Sequence, residues 1–463
     1  MTIPASESLN YVDGAWTAAR SGKVFANCDP ATGDVIGEFP DSDVDDLERA
    51  VAAAAKVLPR WRKYPAPRRA EILFRAGEEM VRRKEELARA LTREMGKTLE
   101  DARGDIQESI DLAYYFAGEG RRLFGVTTPS ESPQKQIFSV RVPVGVTGAI
   151  SPFNFPFAIP ALKSLPALIA GNTMVLKPAQ DTPHLANLLA QIYEAAGLPP
   201  GVFNVVHGSG AVLGRRLAEH PDVPLVSFTG SKAVGVEITA RGAPFLKKTI
   251  LELGGKNCII VMDDAALDEA VRGILWSAFG ATGQRCTAAS RIIAHRAIHD
   301  DLVEKLTAAT RALRLGSGLD AETDIGPLIN AAAVERVSNY VQIGVSEGAH
   351  LVTGGEAVAG PGHFFQPTLF TRARPQMRIA QEEIFGPVTA VIPAADLADA
   401  MAIANGIEYG LSAAIYTEDI AAALTAAENV EVGLFYVNAG TIGAEAHLPT
   451  GGMKASGNGH REA

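Results

Sequence analysis

Cysteine is scarce in this sequence: Cys28, Cys258 and Cys286 are the only three in 463 residues. Three cysteines cannot build a disulfide framework, and their spacing matches no zinc pattern, so no metal is expected. Reduced thiols suit a cytoplasmic protein. A surplus of basic charge is also missing. There are 43 Lys and Arg against 53 Asp and Glu, a formal net charge of −10. This argues against nucleic acid or an anionic membrane as a partner. The apolar stretch 155–170 is broken by Pro156, Pro160, Lys163 and Pro166 and is too interrupted to cross a bilayer. The N-terminal Met1-Thr2-Ile3-Pro4 lacks a basic and apolar leader, so no signal peptide is expected. Low-complexity blocks and fixed-period repeats are absent. What remains is an ordinary globular composition, 47% hydrophobic and 21% charged, on a chain too long for a single core.

Residues 9–40 read as short strands with turns at Asp13-Gly14 and Thr32-Gly33-Asp34. Asp41, Ser42 and Asp43 offer N-caps for a helix over about 44–62. A second helical region follows over about 68–119, with breaks expected at Gly77, Gly96 and Gly104. Between 121 and 146 apolar and polar side chains alternate around a Pro129-Ser130-Glu131-Ser132-Pro133 turn, predicting a protruding hairpin. A lone hairpin is marginal in water, so it either pairs with another subunit or packs on its own domain. From Gly145 onward strands at 145–151, 173–177, 202–206 and 223–228 alternate with helices, the pattern of a doubly wound parallel sheet. The segment 249–255 reads as a hinge into a second α/β domain, with strands at 257–262 and 291–294 and helices at 268–281 and 299–315.

Four stretches carry candidate chemistry. Cys286, in Gly283-Gln284-Arg285-Cys286-Thr287, falls at a helix-to-strand junction between glycine-loosened segments. It suits a nucleophile in a cleft or a buried structural thiol. Gly208-Ser209-Gly210 and Gly214 follow a strand and open a helix, as a phosphate-binding turn does, although the spacing is one residue longer than usual. The alternative is a plain tight turn; Thr229-Gly230-Ser231 occupies the equivalent point in the next unit. Glu252 lies between Leu251 and Leu253 before paired glycines. Desolvation there raises a carboxylate toward the range of a general base; the alternative is a glutamate satisfied by main-chain N–H groups. Asn154, in a loop rigidified by Pro152 and Pro156, is either an oxyanion donor or a residue that holds the turn.

Together, Pro152-Phe153-Asn154-Phe155-Pro156, Leu176-Lys177-Pro178-Ala179, Phe228-Thr229-Gly230-Ser231, Leu251-Glu252-Leu253-Gly254-Gly255-Lys256, Gly283-Gln284-Arg285-Cys286 and Glu382-Glu383-Ile384-Phe385-Gly386-Pro387 occur in that order. They resemble the aldehyde dehydrogenase superfamily over essentially the whole chain. The segments 438–445 and 457–462 look most like its α-ketoglutarate semialdehyde dehydrogenase branch.

The resemblance implies an α/β fold with a Rossmann-type nicotinamide cofactor domain (1–120 and 147–254), a catalytic α/β domain (255–436), and an oligomerisation arm with a C-terminal segment (121–146 and 437–463). It implies that Cys286 attacks an aldehyde to give a thiohemiacetal, that Asn154 and the Cys286 main-chain N–H hold the oxyanion, and that Glu252 activates the water that hydrolyses the thioester. Lys177 is expected at the adenosine ribose, Gly230 and Ser231 at the pyrophosphate, Glu383 at the nicotinamide ribose and Phe385 beside the ring. Ser151, Pro152, Phe153, Ala179, Gln180, Gly210, Gly214, Phe228, Thr229 and Leu253 complete the expected cofactor contacts. Many NAD-preferring relatives carry a glutamate where this chain has Gln180; the amide removes a charge that repels a 2′-phosphate, so NAD and NADP are both expected cofactors.

Thr450 stands where relatives usually carry an aromatic residue, giving a smaller and more polar wall to the expected substrate tunnel. The sequence ends at Ala463, short of a strand that relatives use to pair with a neighbour's hairpin. The tail is therefore expected to be shortened or the assembly weakened, with a homodimer or homotetramer if it is complete. The expected substrate is a small aliphatic semialdehyde bearing a carboxylate, α-ketoglutarate semialdehyde first, with Arg103 considered as its carboxylate partner against a surface pairing with Glu100 or Asp101. A CoA-acylating enzyme and an esterase are the alternatives on this fold.

Overall fold

A computed structural model describes residues 3–4 and 8–459. Its described residues hold two seven-stranded sheets. In the first, the parallel strands run Lys248–Glu252, Leu225–Thr229, Val146–Ile150, Thr173–Lys177 and Phe203–Val205. The antiparallel pair Asn10–Val12 and Ala15–Thr17 extends one edge. The second sheet orders His350–Thr353, Thr368–Thr371, Val388–Ala394, Ala289–His295, Asn257–Val261, Ser412–Tyr416 and Leu434–Val437. It is parallel except where His350–Thr353 meets Thr368–Thr371.

Both faces of each sheet are covered, which is why the strands read as continuous apolar runs. Side chains alternate between faces. Ala149, Met174 and Leu176 join one core with the helices Ala158–Ile169 and Pro183–Ala195, whereas Ile150 and Val175 join another with Leu47 and Val51 of the helix Val44–Trp61. That last helix begins where its sequence predicts: the Asp43 carboxylate accepts from the main-chain N–H groups of Asp45 and Asp46.

The 68–119 region differs from expectation. It forms three helices, Ala66–Arg82, Lys84–Met95 and Leu99–Glu119. Gly96 ends the second in a left-handed conformation, φ 92°. Gly77 and Gly104 lie inside helices instead of breaking them. A β-carbon on Gly77 would stand 3.2 Å from the Tyr114 ring, so this glycine permits close helix packing; around Gly104 there is open space. The break that glycine did not mark falls at Arg83.

The hairpin is present, with Thr127–Thr128 paired antiparallel to Ile137–Phe138. Its apolar side chains Val126, Ile137, Phe138, Val140 and Val142 are exposed. Residues 453–458 instead return to the junction of the two sheets. Met453–Lys454 pairs with Tyr409–Gly410. Leu253 N–H donates to Ser456 O at 2.8 Å, and Leu251 N–H donates to Asn458 Oδ1 at 2.8 Å. The motif residues in 460–463 lie outside the described residues. No helix among the described residues is long and apolar enough to cross a membrane.

Candidate active site

The strand order of the first sheet reverses between Val146–Ile150 and Leu225–Thr229. In an open parallel sheet, a crevice forms at such a switch point, outside the carboxyl ends of the strands. Ser151-Pro152-Phe153-Asn154 leaves one of these ends and Thr229-Gly230-Ser231 the other. Ser231 is the N-cap of the helix Lys232–Gly242, so the free N–H groups of that helix face the crevice rim. A β-carbon on Gly230 would lie 2.5 Å from the Phe228 ring; the ring and the glycine are therefore a matched pair. The longer glycine spacing at 210–214 has a structural counterpart: Gly210–Gly214 forms a π-turn, which takes up the extra residue before the helix Arg215–Glu219.

Lys177 ends its strand beside this turn. Its Nζ is 3.6 Å from the point a β-carbon on Gly210 would occupy, and burial pushes its pKa down to about 8, opposed by Asp181. Ser151 N–H donates to Lys177 O at 3.2 Å, while the buried Ser151 Oγ has no partner among the described residues. An ammonium, an unsatisfied hydroxyl, a small-residue turn and a helix N-terminus converge here, a donor set that fits a dinucleotide.

On the other side of the crevice three loops meet. Glu252 is 7% exposed, pairs with Thr229 across the sheet and its carbonyl accepts from Gly230 N–H at 3.0 Å. The glycines after it are sites of close approach. A β-carbon on Gly254 would stand 2.2 Å from Glu383 Oε2, and one on Gly255 would stand 2.5 Å from Cys286 O. Glu383 Oε1 accepts from Gly255 N–H at 3.0 Å, and burial raises its carboxyl above the usual range. Phe385, at φ 56°, meets Phe153 edge to face at 5.8 Å. Arg336 supports this loop by donating to Ile384 O at 3.0 Å and Phe385 O at 3.4 Å.

The segment before Cys286 holds three successive left-handed residues, Ala281 (φ 48°), Thr282 (φ 61°) and Gly283 (φ 68°). Such a conformation costs about 1–2 kcal/mol for each residue bearing a β-carbon and persists only where surrounding contacts fix it. Here Ala281 N–H donates to Asp101 Oδ2 at 2.9 Å, Thr282 Oγ1 donates to Gly326 O at 3.0 Å, and Gln284 Oε1 accepts from Ile329 N–H at 3.0 Å. After the turn, Asn257 Nδ2 donates to Cys286 O at 2.7 Å and Ala288 O at 3.0 Å. The Cys286 side chain is half-buried and close enough to Tyr436 to add to the upward shift that burial imposes on that phenol. Thr441 Oγ1 donates to Thr287 O at 2.6 Å. A half-exposed thiol on a main chain fixed on both sides is a chemically useful arrangement.

The sequence matches the aldehyde dehydrogenase family over residues 16–463. This chain belongs to that family. It is 41% identical to an alpha-ketoglutaric semialdehyde dehydrogenase of Bacillus subtilis (strain 168), covering 98% of this chain and 94% of the relative. It is 42% identical to a glutarate-semialdehyde dehydrogenase of Pseudomonas aeruginosa, covering 97% and 93%. Its fold is similar to that of an NADP dependent enzyme of E. coli, with a TM-score of 0.96 and 40% identity over 98% of this chain and 94% of that one. As an aldehyde dehydrogenase, the protein is an oxidoreductase that couples the oxidation of a small aldehyde to a nicotinamide cofactor.

The expected site residues fall into two groups around this aldehyde dehydrogenase crevice. Ser151, Lys177, Gly210, Gly214, Thr229, Gly230 and Ser231 gather at the sheet's switch point, with Pro152, Phe153 and Phe228 beside them and the half-buried Ala179 and Gln180 on the loop after Lys177. Glu252, Leu253, Cys286, Glu383 and Phe385 gather where the loops interlock. Asn154, 3% exposed, lies on the loop whose Phe153 ring touches Phe385. Arg103 is not part of either group: it is exposed and binds Glu85 through two bonds of 2.9 Å. Cys28 is exposed on an edge hairpin and Cys258 is buried. Asn257 and Arg336 went unnoticed in the sequence, Thr441 entered only within the 438–445 segment, and Asp101 entered only as a surface partner for Arg103, whereas it binds Arg285 in the interior. The clue for Asn257 is a polar residue opening an otherwise apolar strand.

Burial of Lys177 has a stability consequence with a definite sign. Its folded pKa, about 8, lies below its ordinary value of 10.5, so folding opposes protonation. The cost is full below pH 8, declines as pH rises and vanishes above pH 10.5. Lys177→Met therefore stabilises the cofactor-free protein at pH 7 by roughly 1–3 kcal/mol, and the advantage shrinks between pH 8 and 10. Denaturant melts across that range check it; an advantage that grows with pH contradicts it.

Proposed function

We propose that this protein oxidises a small aliphatic semialdehyde bearing a carboxylate, α-ketoglutarate semialdehyde first, with Cys286 as nucleophile, Glu252 as general base and Asn154 as oxyanion donor. The observation that carries this reading is the interlock of the Cys286 main chain with the segment that begins at Glu252, with room at Gly255 for nothing larger than hydrogen. Two of the similar proteins act on α-ketoglutaric and glutarate semialdehydes, which supports a substrate carrying its own carboxylate. Unbridged thiols on all three cysteines fit a cytoplasmic setting.

The Cys286 thiolate adds to the carbonyl carbon, and the charge that develops on oxygen is met by the Asn154 amide and the Cys286 main-chain N–H. Bound nicotinamide supplies the hydride acceptor. Lys177, Ser151 and the turns at 210–214 and 229–231 would hold the dinucleotide, and Glu383 and Phe385 would hold its reactive end. Loss of hydride from the tetrahedral carbon leaves a thioester on Cys286. Glu252 then takes a proton from water as its oxygen adds to the thioester carbon, and the sulfur departs as thiolate with release of the carboxylic acid.

This division predicts distinct phenotypes. Cys286→Ser abolishes aldehyde oxidation. Glu252→Gln retains a stoichiometric burst of reduced cofactor in stopped flow but stalls steady turnover by about 100-fold or more, within the range of a lost general base. Loss of the burst in the Glu252 variant removes the assignment.

Gln180, three residues after Lys177, presents a neutral amide where a carboxylate would repel a 2′-phosphate. NADP is accepted alongside NAD, a reading supported by the similarity to an NADP dependent enzyme. A kinetic matrix of semialdehydes and uncharged aldehydes with both cofactors tests substrate and cofactor together. The expected result is the highest kcat/KM for a carboxylate-bearing semialdehyde, with NADP within about 100-fold of NAD, a gap of under roughly 2.7 kcal/mol. Preference for uncharged aromatic aldehydes overturns the substrate; a wider cofactor gap overturns dual use.

The exposed hairpin side chains Val126, Phe138 and Val140 form a surface that a second copy covers, giving a homodimer or homotetramer. Phe138→Ser shifts sedimentation toward the monomer without lowering the protomer's melting temperature; an unchanged sedimentation profile, or a monomeric parent, rules out that role.

A further inference from the structure

The first two turns of the helix Leu99–Glu119 carry two buried carboxylates that the reaction scheme does not use. Asp101 and Asp105 are four residues apart, on one helix face, and their side chains are 3% and 0% exposed. Each divides its oxygens in the same way, one on a cation and one on a main-chain N–H in or directly after a loop that bears a candidate catalytic group.

Asp101 Oδ1 binds Arg285 Nη2, and Asp101 Oδ2 accepts from Ala281 N–H at 2.9 Å. The first partner immediately precedes Cys286, and the second opens the left-handed turn that leads into it. The Arg285 guanidinium lies over the Trp276 ring at 4.5 Å, and a β-carbon on Gly280 would stand 2.8 Å from its Nη1, so its position is fixed from three sides. Asp105 Oδ2 binds Lys97 Nζ at 3.1 Å, and Asp105 Oδ1 accepts from Ala158 N–H at 2.9 Å. Ala158 opens the helix that follows the Asn154 loop. Lys97 Nζ also lies 3.9 Å from the centre of the Phe155 ring, next to Asn154.

Two buried ion pairs are a poor device for stability alone, because desolvation offsets most of their attraction. They are a good device for fixing geometry, since breaking either leaves an uncompensated buried charge. We infer that Asp101 and Asp105 are positioning residues that set the Cys286 loop and the Asn154 loop in register for attack on the aldehyde and stabilisation of the oxyanion. The inference rests on the proposed roles of Cys286 and Asn154.

The test uses Asp101→Asn, Asp105→Asn and the corresponding alanine variants of the full chain, read by the burst rate of reduced cofactor, by KM for the cofactor and by thermal melting. Cys286→Ser is the reference. Misplacement on the order of 1 Å costs about 10- to 100-fold in the chemical step. The burst rate is therefore expected to fall by at least about tenfold in each asparagine variant, while KM for NAD changes by less than about twofold. That split follows because the switch-point residues are not touched. Aspartate-to-alanine changes fall at least as far; where an alanine variant is not recovered folded, the asparagine variant decides. A burst within about threefold of the parent in a folded variant overturns the inference. So does a parallel loss of cofactor affinity, which marks a general structural role. If Cys286→Ser itself retains oxidation, the site reading fails instead, and the two failures are distinguishable.

Discussion

Three loops approach one another at Gly254-Gly255, Cys286 and Glu383 more closely than any side chain allows, and most of the site depends on that approach. The carbonyl of Cys286 and the carboxylate of Glu383 occupy the space that β-carbons at 255 and 254 would fill. A β-carbon on Gly283 would likewise fall 2.2 Å from Gly386 O, so the loop carrying Cys286 and the loop carrying Glu383 and Phe385 are locked to each other as well as to Glu252. Glycine is required here because of what lies beside it, with a positive φ as an added reason only at Gly283. Cys286, Glu252 and Glu383 are thus tied together by contacts that leave no room for a β-carbon at 254, 255 or 283.

The second organising element is the sheet whose strand order reverses beside Ile150. Its carboxyl ends bring Ser151, Lys177, Thr229 and Glu252 to one rim although they are spread over a hundred residues of sequence. The rim gathers a buried lysine, a hydroxyl without a partner among the described residues and a helix N-terminus, a donor set that fits an anionic ligand. The same strand, Lys248–Glu252, delivers Glu252 to the side facing the thiol loop. One sheet therefore positions both the switch-point residues and Glu252.

Much of this was legible in the chain because it is local. Apolar strands alternating with capped helices announce a doubly wound sheet, and of the caps offered by Asp41, Ser42 and Asp43 the structure uses Asp43. The six motif stretches are short, and each is contiguous in sequence. What escaped was long-range. Arg103 stands among Glu100, Asp101 and Asp105, while Arg285 has no acidic neighbour in sequence; only the fold decides that the first binds Glu85 in solvent and the second binds Asp101 in the interior. Glycine was equally ambiguous. Gly96 ends a helix because its φ is positive, Gly77 continues one because Tyr114 crosses there, and Gly104 continues one with nothing beside it. Sequence reads a glycine's freedom but not its neighbours. The extra residue at 210–214 looked like a defect in a phosphate-binding turn and became a π-turn, which accommodates one residue more per turn without losing the helix that follows.

The spacing of Asp101 and Asp105 makes the pitch of a single helix into a ruler between two otherwise unrelated loops. Each residue in a helix advances about 1.5 Å and turns about 100°, so one residue inserted or deleted between them swings one carboxylate off the shared face while leaving the other in place. Substitutions at the solvent-facing positions between them, such as Arg103 and Gly104, keep the ruler intact. The segment thus tolerates a change at 103 or 104 and not a change in its length.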